Sequence, residues 1–353
     1  MERTRGANTK LSDQVKNHAN KNEVPEGEFE GSDSIFVSTG STELDLAISG
    51  GRVRGGGIPG GILVEIFGPS SCGKTVLLCE IAGNIQREMG KIMFGDPEGR
   101  LNKQFAKMFG LDTSKIEYSM PDTVTEVFGG VRKWKPGPTK YLHGIFADSL
   151  AALSTDLEMT NEEGDKMGQR RAKEFSEECR KTCRILTTQN YLMVCSNQVR
   201  QNQDAGQYGP KFKAPGGEAV GFYSSLRLRC FNPQKIKTKR TIAGSEVTIV
   251  TGIETEVEVF KSSVWKPFRK ATVIIDYDYG IDDIRRNLEY LKTYKYKKEN
   301  TYCVGGEKLN NALDRAVHIV ERNNLENNLK EEVIDLWLEI EQNFERSRKP
   351  KRS

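Results

Sequence analysis

No stretch of this chain approaches the roughly 20 consecutive apolar residues that a membrane-spanning helix requires, so no membrane association is expected. The opening stretch, MERTRGANTKLSDQVKNHANKNEV, has no apolar segment of the secretory kind, and a cytoplasmic protein is the expectation. Metal-binding vocabulary is thin. The seven cysteines (Cys72, Cys79, Cys179, Cys183, Cys195, Cys230 and Cys303) form no C-x-x-C pair, and the chain has only three histidines. Such a set points to a reducing compartment and to thiols used as small buried apolar groups. Internal repeats are absent. The excess of one charge over the other is small too: a net +4 over 353 residues is too little by itself to imply nucleic acid. Its distribution says more. Basic residues gather at Arg3, Arg5, Lys10, Lys16 and Lys21, again at Lys235, Lys237, Lys239 and Arg240, and in the tail from Arg346 to Arg352.

What is present reads as α/β. Residues 1–34 form a polar N-terminal arm without a sustained period. From Ile35, short β-type runs alternate with amphipathic helices, the pattern of a mostly parallel sheet flanked by helices. Expected strands are Ile62–Phe67, Lys91–Phe94, Ile116–Ser119, Tyr141–Ala147, Tyr191–Ser196, Leu226–Phe231, Thr255–Lys261 and Ala271–Tyr277. Expected helices are Lys74–Met89 and Met167–Thr188. The core is expected to occupy 35–279. A small α-rich C-terminal domain over 280–345 should follow, with helices at Asp283–Lys295, Lys308–Asn323 and Leu329–Phe344, and 346–353 as a basic tail.

Gly68-Pro69-Ser70-Ser71-Cys72-Gly73-Lys74-Thr75 satisfies G-x-x-x-x-G-K-[ST] between a strand and a helix, the context that makes this motif a phosphate cradle. Backbone N–H groups at the helix start would face the phosphates. Lys74 would neutralise the β/γ-phosphates, and the Thr75 hydroxyl would hold Mg2+. Asp148, ending the apolar strand that includes Phe146 and Ala147, sits where a second metal-managing carboxylate is needed, acting through water. Hydrolysis also needs a group to orient the attacking water. Either Asp96 or Glu98, in Asp96-Pro97-Glu98, has the chemistry.

With these motifs placed, the chain closely resembles the bacterial RecA recombinases and their phage relatives of the UvsX type, from about Val37 onward. Ser38-Thr39-Gly40-Ser41 with Leu44-Asp45 resembles the family's approach to the phosphate loop. Asp96-Pro97-Glu98 stands in place of D-A-E, which implies Glu98 as the catalytic carboxylate. Asn102 and Phe105 match adenine-contacting positions that are Asp and Tyr in the family. Asp148-Ser149-Leu150-Ala151-Ala152-Leu153 resembles D-S-V-A-A-L, and 156–168 corresponds to a first DNA-binding loop. That loop ends at Met167-Gly168-Gln169-Arg170-Arg171, with Arg170 and Arg171 expected to reach phosphates. Ser196-Asn197-Gln198-Val199-Arg200 resembles N-Q-I-R, which implies Gln198 as the γ-phosphate sensor. Pro215-Gly216-Gly217 and Phe222 to Leu228 resemble the second loop's exit and the element that packs on the next subunit.

The resemblance implies a RecA-like P-loop ATPase core, ATP and Mg2+ as cofactors, and a DNA-dependent ATPase of homologous recombination and repair. Arg200, Tyr208, Lys211, Phe212 and Lys213, with Gly216 and Gly217, would line a cationic and aromatic track for single-stranded DNA. Lys261 matches the first of two lysines that reach the neighbouring subunit's nucleotide. Ser263 stands where the second would be, and Lys266 is the nearby substitute. A site completed in trans implies a homo-oligomer, and a non-closing rotation gives a helical filament. Duplex DNA and loading or mediator proteins are further expected partners. A helicase motor on the same fold and a DNA-annealing accessory ATPase are the competing readings. Unwinding without pairing would mark the former, and an inconsequential Glu98→Gln the latter.

Overall fold

The computed structural model describes residues 35–155, 167–198, 200–201, 212–213, 219–346 and 348, with the backbone alone at 167–170, 200–201 and 212–213. The arm 1–34 and most of the basic tail lie outside the described residues, as do 156–166, 199, 202–211 and 214–218 of the two expected DNA-binding loops.

Chain order gives β1 (Phe36–Val37), α1 (Thr42–Ser49), β2 (Ile58–Pro59), β3 (Leu63–Gly68), α2 (Lys74–Arg87), β4 (Ile92–Gly95), α3 (Lys103–Met108), β5 (Ile116–Ser119), α4 (Val124–Lys133) and β6 (His143–Ala147). There follow α5 (Met167–Gln189), β7 (Tyr191–Gln198), β8 (Arg200–Gln201), β9 (Phe212–Lys213), α6 (Ala219–Tyr223), β10 (Leu226–Ile242), β11 (Ser245–Ser262), β12 (Lys270–Asp276) and β13 (Gly280–Ile281). The C-terminal region holds α7 (Asp283–Tyr294), β14 (Cys303–Val304), β15 (Glu307–Lys308), α8 (Leu313–Arg322) and α9 (Glu326–Asn343).

The nine-stranded sheet runs β13-β12-β11-β10-β3-β7-β6-β4-β5. The strands from β10 to β5 pair in parallel, and those from β13 to β10 are antiparallel. Alternation along β3 explains the layering. Val64 and Ile66 face one apolar cluster with Leu77, Leu78, Ile81 and Ile85 of α2. Leu63 faces the other, with Val124 and Phe128 of α4 and Phe175 and Cys179 of α5. β7 does the same, with Leu192 and Val194 on one side and Met193 and Cys195 on the other. Helices cover both faces of the sheet, which is why its strands read as continuous apolar runs. A third cluster joins Leu46 of α1 to Leu288, Leu291, Val320, Leu329 and Val333 of the C-terminal helices.

The structure corrects the sequence reading in two places. The expected strands Leu226–Phe231 and Thr255–Lys261 are only the inner ends of β10 and β11, a long hairpin turning at Ala243 and Gly244, both with positive φ (50° and 83°). Beyond Phe231 the alternating burial stops, so apolar periodicity carried no signal there. The helix expected to start at Lys308 starts at Leu313 instead, because Cys303–Val304 and Glu307–Lys308 form a small hairpin across Gly305-Gly306. The apolar stripe of α8 (Ala316, Val317, Val320) begins only after it. Six of the cysteines are buried and Cys183 is half-buried, all as free thiols.

Candidate nucleotide site

Parallel strands place their C-terminal ends along one edge, where open α/β sheets bind ligands. Gly68 is the register partner of Gln198, Gly95 of Ala147, and Ala147 of Cys195. The segment after β3, the carboxylates after β4, Asp148 after β6 and Gln198 at the end of β7 therefore share one rim.

The loop between β3 and α2 turns through Ser71 (φ 60°) and Gly73 (φ 88°), both left-handed. Gly73 suits this left-handed position, and a Cβ there would also push against the tip of Ile275, Cδ1 at 2.3 Å. Gly68 is equally confined: its Cβ would meet the Cys230 carbonyl at 2.3 Å. The Cys72 thiol is buried and donates to the Pro69 carbonyl at 2.9 Å, bracing the turn from within. Lys74 Nζ donates to the carbonyls of Pro69 (2.7 Å) and Gly68 (3.1 Å).

Thr75 Oγ1 donates to Asp148 Oδ2 at 2.6 Å, and the Ser196 hydroxyl donates to Asp148 Oδ1. A hydroxyl and a carboxylate in contact are the hard oxygen set that suits Mg2+. The two carboxylates after β4 separate cleanly. Asp96 is buried, and its Oδ2 accepts from the Leu101 N–H (2.7 Å) and the Tyr118 hydroxyl (3.0 Å). Glu98 is nearer solvent, accepts from Ser149 Oγ at 3.3 Å beside Asp148, and pairs with exposed Arg100 at 2.7 Å. Asp96 shapes the turn, and Glu98 is the more exposed of the two carboxylates.

The segment before the core is held by Asp45. It accepts from Thr39 N and Oγ1, both at 2.7 Å, and from the Ser38 hydroxyl, while burial pushes its carboxyl up to about 6. Asn102 caps α3, its Oδ1 accepting from the N–H groups of Gln104 (2.9 Å) and Phe105 (3.2 Å). A hydrogen bond to a base is left to its NH2 group. Phe105 is half exposed and free to pack against a ring.

Arg171 is turned inward. Its guanidinium donates to the Ala151 carbonyl at 2.9 Å, which ties the start of α5 to the turn after Asp148. Met167, Gly168 and Arg170 begin that helix, and only their backbone is described. Of the second loop, Arg200 and Phe212–Lys213 pair as β8 and β9, again with backbone alone. Tyr208, Lys211, Gly216 and Gly217 lie outside the described residues.

Lys261 and Lys266 do not share a site. Lys261 Nζ donates to the carbonyls of Phe222 (2.7 Å) and Gly221 (2.9 Å), beside the 74% exposed ring of Phe222. Burial first, then nearby Arg227, hold its ammonium below the ordinary lysine pKa. Lys266 reaches Glu341 of α9 at 3.4 Å instead.

Sequence reading missed a buried network behind this rim. Glu65 of β3, 1% exposed, accepts from Arg227 Nε (2.6 Å) and Asn197 Nδ2 (2.9 Å). The signal was there: one glutamate inside the apolar run Ile62 to Phe67 demands a buried cation or donor.

A family model described as the RecA N-terminal domain matches residues 8–282. That span includes the whole rim from Gly68 to Gln198 and the Lys261 surface. The chain belongs to the RecA family.

Proposed function

We propose that this protein is an ATP-dependent recombinase that polymerises on single-stranded DNA and promotes homologous pairing and strand exchange. The observation that carries this reading is the place of Gln198. It ends β7 opposite Gly68, the first residue of the phosphate loop, and the segment expected to hold DNA begins one residue later.

ATP would lie along the loop, with its phosphates on the backbone N–H groups and Lys74 against the β/γ oxygens. Mg2+, when bound, supplies charge neutralisation between those phosphates, and Thr75 and Asp148 would hold it, the latter through water. Glu98 would orient the water that attacks the γ-phosphorus. The Gln198 amide would bond the γ-phosphate in the ATP state and lose that partner in the ADP state. A contact made in one state and not the other is what allows a ligand to shift a conformational equilibrium. The segment 199–215 would thereby hold an unpaired strand with ATP and release it after hydrolysis. Lys261, on the surface beside Phe222, would reach the nucleotide of the neighbouring subunit.

The test is the ATPase rate with and without single-stranded DNA, run beside strand exchange. Gln198→Ala is expected to bind ATP normally while losing DNA stimulation and pairing. Undiminished stimulation in that variant would remove the switch.

A further inference from the structure

Three charged side chains lie in one row across the sheet. Glu65 on β3 is the register partner of Arg227 on β10, which is the register partner of Lys261 on β11. Arg227 is fixed from several sides. Its Nε donates to Glu65 at 2.6 Å, and its guanidinium lies 4.6 Å from the Phe67 ring centre and 5.3 Å from that of Phe260. Those rings meet edge-to-face at 5.5 Å. The backbone of α6 closes another side, since a Cβ on Gly221 would lie 2.8 Å from the Arg227 Cζ.

Phe260 is the extra residue of a β-bulge, because Arg227 pairs with Lys261 whereas Leu228 pairs with Val259. Bulges re-aim neighbouring side chains. Here the bulge leaves Lys261 next to a guanidinium that has already taken the buried carboxylate. Like-charge repulsion then favours the outer position for the ammonium, on the carbonyls of Gly221 and Phe222.

We propose that Arg227 is a positioning residue for Lys261: held by Glu65 and two phenyl rings, it keeps the Lys261 ammonium at the outer surface from which that lysine serves the neighbouring subunit's nucleotide. This rests on the trans role of Lys261 stated above. Glu65 and Asn197 are the anchor, and Arg227 the wedge. The chemistry served is stabilisation of charge on the transferring phosphoryl group, where a misplaced cation loses most of its effect.

The experiment mixes full-length subunits on single-stranded DNA. Glu98→Gln subunits supply an intact Lys261 without hydrolysing ATP, and Lys261→Ala subunits supply an intact phosphate loop. Recovered hydrolysis in the mixture is expected. No recovery overturns both the trans role and this proposal. With recovery established, Glu65→Gln with Arg227→Met goes into one partner at a time, a double change that leaves no buried charge unpaired. In the lysine donor it is expected to lower the recovered kcat by about tenfold or more, with the KM for ATP within about twofold. In the loop-bearing partner the recovered rate should change by no more than about twofold. Arg227→Lys in the donor should restore most of the rate. An unaltered rate with the changed donor, or equal losses from either placement, would overturn the positioning role while leaving the trans contact standing.

Discussion

The inner and outer halves of the β10–β11 hairpin are one ladder in two environments. Near the sheet, Leu226, Leu228, Cys230, Val257 and Val259 are fully buried. From Asn232 outward the pairing continues through Ile242 and Ser245, yet Ile242, Val247 and Ile249 are exposed. Alternation puts Lys235, Lys237 and Lys239 on one face of this ribbon, and Ile236, Arg240 and Ile242 on the other. The difference teaches that backbone pairing decides where a strand goes, while burial decides what a substitution costs and what a sequence reveals.

The contrast can be tested by substitution and by pH. The largest effect belongs to the inner half. Arg227→Ala leaves Glu65 charged and unpaired in the core, which should cost about 3–5 kcal/mol, read from the urea midpoint. A loss under about 1 kcal/mol would mean that the row is well hydrated after all. Next comes a buried acid. Glu80 of α2 accepts from the Ile281 N–H at 3.2 Å, and burial raises its carboxyl from 4.5 to about 7. The folded state therefore holds that proton more tightly than the unfolded chain. The resulting stability is full below pH 4.5 and is lost as pH rises through about 7, on the order of 3 kcal/mol. Glu80→Gln should flatten this window in urea titrations at successive pH values.

A smaller effect is expected for Val259→Ala, about 2 kcal/mol from lost burial and the cavity left behind. The smallest belongs to the ribbon. Replacing residues 237–250 by a two-residue Asn-Gly turn should move the urea midpoint by no more than about 0.5 kcal/mol. A larger loss would show that the outer half supports the core.

The same contrast sets what was legible in the sequence. β3 was foreseen to within one residue, because burial on both faces and flanking turns leave few alternatives, whereas β5 (Ile116–Ser119), an exposed edge strand, was marked by its β-type residues and the turn before Pro121. The strand–loop–helix placement of Gly68 to Thr75 was legible because that motif fixes both residue types and spacing. The outer ribbon has no burial asymmetry to read, and the Cys303–Lys308 hairpin is too short to show a period. Among site residues, Lys74, Thr75, Asp148 and Gln198 gather on one rim. The resemblance pointed to Glu98 among the carboxylates after β4, whereas its greater exposure beside buried Asp96, held by Leu101 and Tyr118, needed the tertiary structure. Arg171 is held by the Ala151 carbonyl, a tertiary contact that sequence order does not encode.

Lys74 rests with its ammonium on the carbonyls of Gly68 and Pro69. A positive charge at the mouth of the loop would otherwise be solvated by water, and the backbone around it would be free to splay. Here the loop's own oxygens hold the charge and keep the turn closed before any phosphate arrives. On the proposed reading, nucleotide entry would exchange two neutral acceptors for anionic ones at a nitrogen already in place, with little chain left to order.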